Sequence, residues 1–117
     1  MRHHKAQRKF GRVKKVRTAL LRSLMRELIL HGRIKTTEAK AKEIRPLVEK
    51  LVTKARANTV ISRRFVAKEF FNQDNIVKKL SSDIAPKYKK QAGGYTRIVK
   101  LPRRKSDGSK MAMIEFV

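Results

Sequence analysis

Few side chains in this sequence have the types and spacing that catalysis or metal binding requires. His3 and His4 are adjacent, but no Asp, Glu or Cys lies near them. Two neighbouring imidazoles without further ligands make a weak metal site, and contact with phosphate is the simpler expectation. The nine Asp and Glu residues are scattered, mostly beside Lys or Arg. They form no acid–base pair, and no Ser, His and Asp arrangement stands out. The sequence therefore predicts no catalytic residues and no metal site.

Positive charge is the dominant chemical feature. The 117 residues include 32 Lys and Arg against 9 Asp and Glu, a formal charge of +23. Ten of these cations lie between Met1 and Arg26, and the first carboxylate is Glu27. Without residues 1–15, 25 cations face the same nine acids, a formal charge of +16. Because the excess extends over the whole chain, it predicts a polyanionic partner, and folded RNA is the strongest candidate.

The first 15 residues read as an extended basic arm. The opening stretch MRHHKAQRKFGRVKKVR has almost no apolar side chain to bury, so it cannot offset its own ordering entropy. Phe10 lies between Lys9 and Arg12, where its ring could stack on an unpaired base or pack on the domain. We expect RNA contacts from Arg2, His3, His4, Lys5, Arg8, Lys9, Phe10, Arg12, Lys14 and Lys15.

Composition excludes several classes of protein. Without Cys the chain can form neither disulfides nor Cys-based zinc sites, and no cofactor motif is present. Gly93 and Gly94 are not followed by Gly-Lys-Ser/Thr, which argues against a nucleotide loop. The longest apolar runs are a few residues long, which predicts no membrane contact. The acid-free start resembles a transit peptide but lacks Ser and a clear apolar face, so the sequence favours the cytoplasm.

Helical periodicity begins at Val16. An apolar stripe over residues 16–29 predicts a first helix, with Arg17, Arg22 and Arg26 off the stripe and Gly32 as the C-terminal cap. Residues 33–37 are short and β-prone, which predicts an edge strand. The first helix would extend the RNA contact of the arm.

Three further helices are predicted. Thr37 is a candidate N-cap for a second helix, in which Pro46 must cause a kink or a division. Its apolar stripe is Ala41, Ile44, Val48, Leu51 and Ala55. Residues 60–71 form a third helix with a noisier pattern, and Asp74 caps a fourth that ends at Pro86.

The last third of the chain has strand patterns. Residues 95–101 and 111–117 read as a hairpin joined by a basic loop, residues 103–109. The fold class is therefore α+β: four helices packed on a small three-stranded sheet, with the extended arm before a single domain at residues 16–117. Around the hairpin we expect a second set of RNA contacts from Lys89, Lys90, Gly93, Gly94, Tyr95, Arg97, Arg103, Arg104 and Lys105.

Two other functions stay open on these residues. A DNA-binding regulator would need a recognition helix, and only the 60–71 helix, with Arg63, Arg64 and Lys68, could supply one. An enzyme acting on RNA is the other alternative, although no catalytic site supports it.

Several stretches together resemble one family, that of bacterial large-subunit ribosomal protein number seventeen. They are MRHHKAQRKFGR at the start, RIKTTEAKAKEIRPLVEKLVTKA at 33–55, AGGYTRIVK at 92–100 and MAMIEFV at 111–117. IKTT with the following KAKE, combined with GGYTRI at this separation, is the specific part of the pattern. The Phe-rich stretch at 65–73 is the one departure.

The resemblance implies a structural constituent of the large ribosomal subunit, and not an enzyme. It also implies a small domain near the peptide exit tunnel and a basic arm inserted into large-subunit rRNA. Neighbouring large-subunit proteins, including number thirty-two, would be partners. No small-molecule substrate, cofactor or membrane would be involved.

Overall fold

A computed structural model of the chain describes residues 13–70 and 73–117. These two ranges contain four α-helices and a three-stranded sheet, which confirms the α+β class. The elements are α1 (Lys14–His31), β1 (Arg33–Thr37), α2 (Glu38–Arg56), α3 (Val60–Glu69), α4 (Asp74–Lys78), β2 (Thr96–Leu101) and β3 (Met111–Phe116).

Helix α1 begins earlier than its apolar stripe predicts. It starts at Lys14, so Lys14 and Lys15 are helical rather than part of an extended arm. Lys is a good helix former, and the buried second half of the helix nucleates the turns before it. Val16, the first member of the predicted stripe, is 51% exposed. The helix ends at Gly32 as expected, because glycine adopts φ +80° and donates its N–H to the Leu28 carbonyl at 2.8 Å.

Helix α2 is the central element of the core. Thr37 caps it as predicted: its hydroxyl accepts from the Lys40 N–H at 3.4 Å. Pro46 does not divide the helix, since it lies on the exposed side where water can satisfy the carbonyl that loses its donor. Buried along the opposite side are the five predicted positions and Val52, namely Ala41, Ile44, Val48, Leu51, Val52 and Ala55.

The fourth helix departs from regular α geometry. Gln73, not Asp74, occupies the N-cap, and Asp74 lies in the first turn, where its carboxylate still faces the positive end of the helix dipole. After Lys78 the chain continues as a π-helical segment (Lys79–Ile84) and a 3₁₀ turn (Ala85–Tyr88). The sequence pattern puts Ile76, Val77, Leu80 and Ile84 on one face; Ile76, Leu80 and Ile84 are buried, and Val77 is partly buried against the core. The wider turns therefore keep the stripe facing the core.

The sheet has the order β1-β3-β2, with both pairs antiparallel. The β1 strand is at the edge, as its sequence predicts, and β2–β3 is the predicted hairpin. One cross-strand row, Ile34, Ile114 and Ile98, packs toward the helices. The rows on either side of it point to the opposite face, where Arg33, Lys35, Arg97 and Val99 are exposed.

Candidate nucleic-acid interface

The first half of α1 carries cations where a helix normally prefers acids. Lys14 and Lys15 are exposed, the first turn has no acidic residue, and Val13 at the N-cap supplies no side-chain hydrogen bond. The first N–H groups of a helix have no backbone partner, and its dipole places partial positive charge there. Positive side chains add to that charge. The first turn of α1 therefore adds positive side chains to the positive end of the helix dipole and contains no acidic residue to offset them.

The three arginines of α1 differ in their surroundings. Arg17 is partly exposed, Arg22 contacts Glu69 at 3.6 Å, and Arg26 contacts Glu27 at 3.4 Å. The Arg22 contact ties α1 to the end of α3. Beside these arginines an open groove of about 600 Å³ separates α1 from α2. The groove is lined by apolar side chains of both helices and by charged side chains of both signs, namely Lys14, Arg17, Arg22, Lys42, Glu43 and Glu69.

A hydrogen-bonded clamp holds the loop that contains Lys89 and Lys90. The Arg56 guanidinium, in the last turn of α2, donates to the carbonyl oxygens of Lys89 (2.9 Å) and Gln91, and to the Tyr95 hydroxyl (2.8 Å). One planar group thus fixes two carbonyls and a phenol. Because the backbone is fixed, the exposed Lys89 and Lys90 side chains project from a defined position.

Tyr95 belongs to the core, which corrects the expectation that it contacts RNA. Its side chain is fully buried, and its hydroxyl lies 3.1 Å from the Thr53 hydroxyl. The ring lies 5.2 Å, centroid to centroid, from that of Tyr88, whose pKa is raised by burial. A ring enclosed on all sides cannot stack on a base, so Tyr95 anchors the start of β2 instead.

The Gly93-Gly94 turn is held against α2. Gly94 has φ +68° and donates its N–H to Glu49 Oε1 at 3.2 Å, while the Thr96 hydroxyl donates to Glu49 Oε2 at 3.0 Å. A residue with a Cβ would be strained at this φ, which explains glycine at position 94. A turn that leads into β2 is therefore enough to explain the two glycines. Because Gly94 is exposed, a partner can still approach the backbone of the turn closely.

The hairpin loop presents three exposed cations, Arg103, Arg104 and Lys105. Arg103 donates to the Gly108 carbonyl at 3.1 Å, and Arg104 donates to Asp107 at 3.2 Å. The backbone N–H of Ser109 donates to Asp107, and this bond lowers the pKa of that carboxyl. The loop is thus ordered by its own side chains and keeps a positive surface.

Arg97 lies on the face of the sheet away from the helices. Its side chain is 61% exposed and pairs with Glu115 on the adjacent strand at 2.6 Å. Sequence reasoning missed Arg33 and Lys35, which lie on the same face and are exposed. The period of two in a strand was the signal that could have assigned both to the side opposite Ile34.

The arm residues lie outside the described part of the chain. These are Arg2, His3, His4, Lys5, Arg8, Lys9, Phe10 and Arg12. Over residues 13–70 and 73–117, no group of three or more His, Cys, Asp or Glu could hold a metal ion. Among the helices of these same ranges, none has the length and apolar content to cross a bilayer.

The fold and its surface define a class: a small, strongly basic α+β domain that presents cations on the first helix, on a clamped loop and on a hairpin. The profile of the family described as Ribosomal protein L17 matches residues 20–117. The chain belongs to the ribosomal protein L17 family.

Curated relatives cover the whole chain. The large ribosomal subunit protein bL17 of Gemmatimonas aurantiaca is 49% identical over 117 residues, all of this chain and 98% of that protein. The protein of the same name from Thermomicrobium roseum is 50% identical over 117 residues, all of this chain and 99% of that one. That of Pelobacter propionicus is 44% identical, over all of this chain and 91% of its own length.

Membership of this family gives the protein a structural role in the ribosome, and therefore in translation and in the cytoplasm. The family is one of ribosomal proteins and not of enzymes. As a component of a ribonucleoprotein, the protein associates with ribosomal RNA and with other ribosomal proteins.

Proposed function

We propose that the protein binds and stabilises folded large-subunit rRNA, with residues 1–12 inserted as a basic arm and the domain that begins with α1 docked beside it. The first half of α1 carries this proposal. Its exposed Lys14 and Lys15 surround a helix N-terminus with no acidic residue in the first turn. This arrangement disfavours the isolated helix and favours a bound anion.

Phosphates of the rRNA backbone are the ligands that this end of α1 would take. A phosphate near Lys14 and Lys15 would accept from the free helical N–H groups and offset the local positive charge. Arg17 can form two parallel hydrogen bonds to one phosphate, whereas lysine acts as a point charge. The basic stretch before α1 would continue the contact into a groove too narrow for a globular surface. Arg22 and Arg26 would extend it along the helix.

A second contact would form around the hairpin. Its cations are Lys89, Lys90, Arg97, Arg103, Arg104 and Lys105, with the Gly93-Gly94 turn allowing the backbone to approach RNA closely. The clamp at Arg56 and the ion pair at Glu115 support this second contact, because they fix the groups before binding. Ordering them in advance lowers the entropy lost on association.

The family resemblance supports a proposal for the place of the protein in the subunit. We propose that the domain lies near the peptide exit tunnel and that its protein neighbours include number thirty-two. Crosslinking of assembled large subunits tests this, with peptides identified by mass spectrometry. Links between this chain and number thirty-two are expected, and links only to proteins distant from the tunnel would overturn the placement.

Salt dependence tests the proposed binding itself. With about eight phosphate contacts, the affinity for large-subunit rRNA should fall by about four decades between 50 and 200 mM salt. An affinity that does not change with salt would contradict an electrostatic mechanism. Duplex DNA of matched length serves as a control, and a defined footprint on it would favour the DNA-binding alternative at Arg63, Arg64 and Lys68 over rRNA binding.

A further inference from the structure

The solvent side of the sheet carries a mixed surface, of which the contacts proposed above use only Arg97 and its ion pair with Glu115. The pairing register places Arg33, Glu115 and Arg97 in one cross-strand row. A second row on the same face, two residues away along each strand, contains Lys35, Met113 and Val99. We call these six residues the outer sheet face. Its two rows alternate with the Ile34, Ile114 and Ile98 row, which packs on the core.

The charge of this face selects the chemistry of its partner. It has three cations and one carboxylate, and Glu115 is already paired with Arg97 at 2.6 Å. The adjoining hairpin loop adds further positive charge. Another copy of this chain, with a formal charge of +23, would be repelled from such a surface, as would any other basic protein. A polyanion is complementary to it.

The centre of the face is apolar but not aromatic. Val99 is 45% exposed and Met113 is partly exposed beside it. Unpaired bases are recognised by stacking on aromatic rings or arginine planes, whereas Val99 and Met113 offer only aliphatic and thioether groups and the Arg97 guanidinium is paired with Glu115. Double-helical RNA presents a wide, shallow minor groove lined by riboses, which exposed apolar side chains can contact.

The spacing of the cations fits the same ligand. Neighbouring strands lie about 4.8 Å apart, so the backbones of Arg33 and Arg97 are separated by about 10 Å across β3. Arg33 and Lys35 are two residues apart on one strand, about 7 Å. The three cations therefore border the apolar row on two sides, as phosphates border the riboses of a duplex.

We propose that the outer sheet face docks on the ribose–phosphate backbone of a double-helical rRNA segment. Arg33, Lys35 and Arg97 bind phosphates, while Val99 and Met113 contact riboses. This inference rests on the proposed rRNA binding. It adds the outer sheet face as a further binding surface, with two cations on β1, and specifies that the RNA bound there is double-helical.

A matched pair of double variants of the full chain tests the phosphate contacts. Arg33→Gln with Lys35→Gln removes two charges from the face, and Arg64→Gln with Lys68→Gln removes two exposed charges from α3. The loss of rRNA affinity between 50 and 200 mM salt should become about 10-fold smaller for the β1 variant, because two phosphate contacts are gone. The α3 variant should keep the wild-type salt dependence. Equal effects of the two variants would overturn the inference.

Hydroxyl-radical probing of large-subunit rRNA tests the ribose contacts. Val99→Asp should weaken binding about 10-fold and remove ribose protection within a base-paired segment, whereas Ile61→Asp, at an 80% exposed position on α3, should change neither. Loss of protection only in single-stranded loops would overturn the proposed ligand.

If the wild type shows no salt-dependent binding, rRNA binding itself fails. If the wild type binds and the β1 double variant behaves as the α3 variant does, only this inference fails.

Discussion

The two longest helices have nearly the same length and opposite relations to the core. Helix α2, with 19 residues, buries six side chains spread over its whole length. Helix α1, with 18 residues, buries three, Met25, Leu28 and Ile29, all in its second half. The first half of α1 has no buried residue and carries four cations instead, Lys14, Lys15, Arg17 and Arg22. Burial stabilises one helix along its length and the other only at one end.

Their termini show the same contrast. Helix α2 has a Thr37 cap, Glu38 in its first turn and Lys54 and Arg56 in its last turn, all favourable for the dipole. Helix α1 starts with Lys14 and Lys15 and without a capping side chain. The ends of α2 therefore stabilise the free domain, whereas the start of α1 has neither a capping side chain nor an acid of its own first turn to do so.

Core truncation should separate the two helices most strongly. Ile44→Ala in α2 removes a fully buried side chain and should lower the free energy of unfolding by about 2–5 kcal/mol. Leu20→Ala in the first half of α1, where the side chain is only partly buried, should cost less than about 2 kcal/mol. Urea denaturation measures both. Equal losses in the free energy of unfolding would mean that the start of α1 belongs to the core, and the contrast between the two helices would not hold.

Deletion of residues 1–15 tests the other half of the contrast. It removes seven positive charges but none of the buried side chains of α1. We expect the far-ultraviolet circular dichroism of residues 16–117 to stay that of a folded α+β domain, while rRNA affinity falls by at least about 100-fold. A truncated chain that is unfolded would show that the domain begins before residue 16.

Regular apolar patterns explain how far the sequence predicted this fold. The stripe from Ala41 to Ala55 and the alternation around Ile114 each have one period and one buried face, so helix and hairpin could be assigned without coordinates. The start of α1 could not, because Lys14 and Lys15 follow helix propensity and not an apolar pattern. The π-helical turn after Lys78 has no sequence signal at all.

The interface was less predictable than the fold, since it depends on contacts between distant residues. Because Tyr95 follows two glycines, its sequence context suggests an aromatic side chain at the surface. Its place in the core depends on contacts with Thr53 and Arg56, which lie about 40 positions earlier in the chain. The exposed cations of the hairpin loop follow from its turn composition. The alternation of β1 assigns Arg33 and Lys35 to the face opposite Ile34, but only the register of the sheet places them beside Glu115 and Met113.

Arg56 differs from the cations at the start of α1, because its guanidinium makes hydrogen bonds within the domain. Arg56→Met removes the bonds to Lys89, Gln91 and Tyr95 and should lower the free energy of unfolding by about 1–3 kcal/mol. Arg64→Met, at an exposed position on α3, should change it by no more than about 0.5 kcal/mol. Thermal unfolding of both variants checks this, and an Arg56→Met variant as stable as Arg64→Met would mean that the clamp contributes nothing.

Charge reversal at the start of α1 should have effects of opposite sign on stability and binding. Lys14→Glu with Lys15→Glu places acids at the N-terminus and should raise the free energy of unfolding by about 1 kcal/mol. Affinity for rRNA should fall in the same variant. Lys68→Glu also lowers the net charge but lies in the last turn of α3, where an acid is unfavourable, so it should not stabilise the domain. A variant at positions 14 and 15 that is less stable than the wild type would show that these lysines support the fold.

Acid pH should weaken the start of α2 and leave the start of α1 unchanged. Lys42 hydrogen-bonds to Glu38 with a 2.8 Å contact between Nζ and Oε1, and this lowers the pKa of the Glu38 carboxyl below its usual range. A lowered folded-state pKa means that the stabilisation is present above the unfolded value, about 4.3, and is lost as pH falls through the folded value. Amide exchange of Ala39 and Ala41 should therefore accelerate in that window, beyond the intrinsic change, and Glu38→Gln should abolish the effect. The first turn of α1 contains no carboxylate, so its amides have no such group to lose. A matching acid transition at Lys14–Arg17 would show that a carboxylate elsewhere balances that end of the helix, and the need for an external anion would disappear.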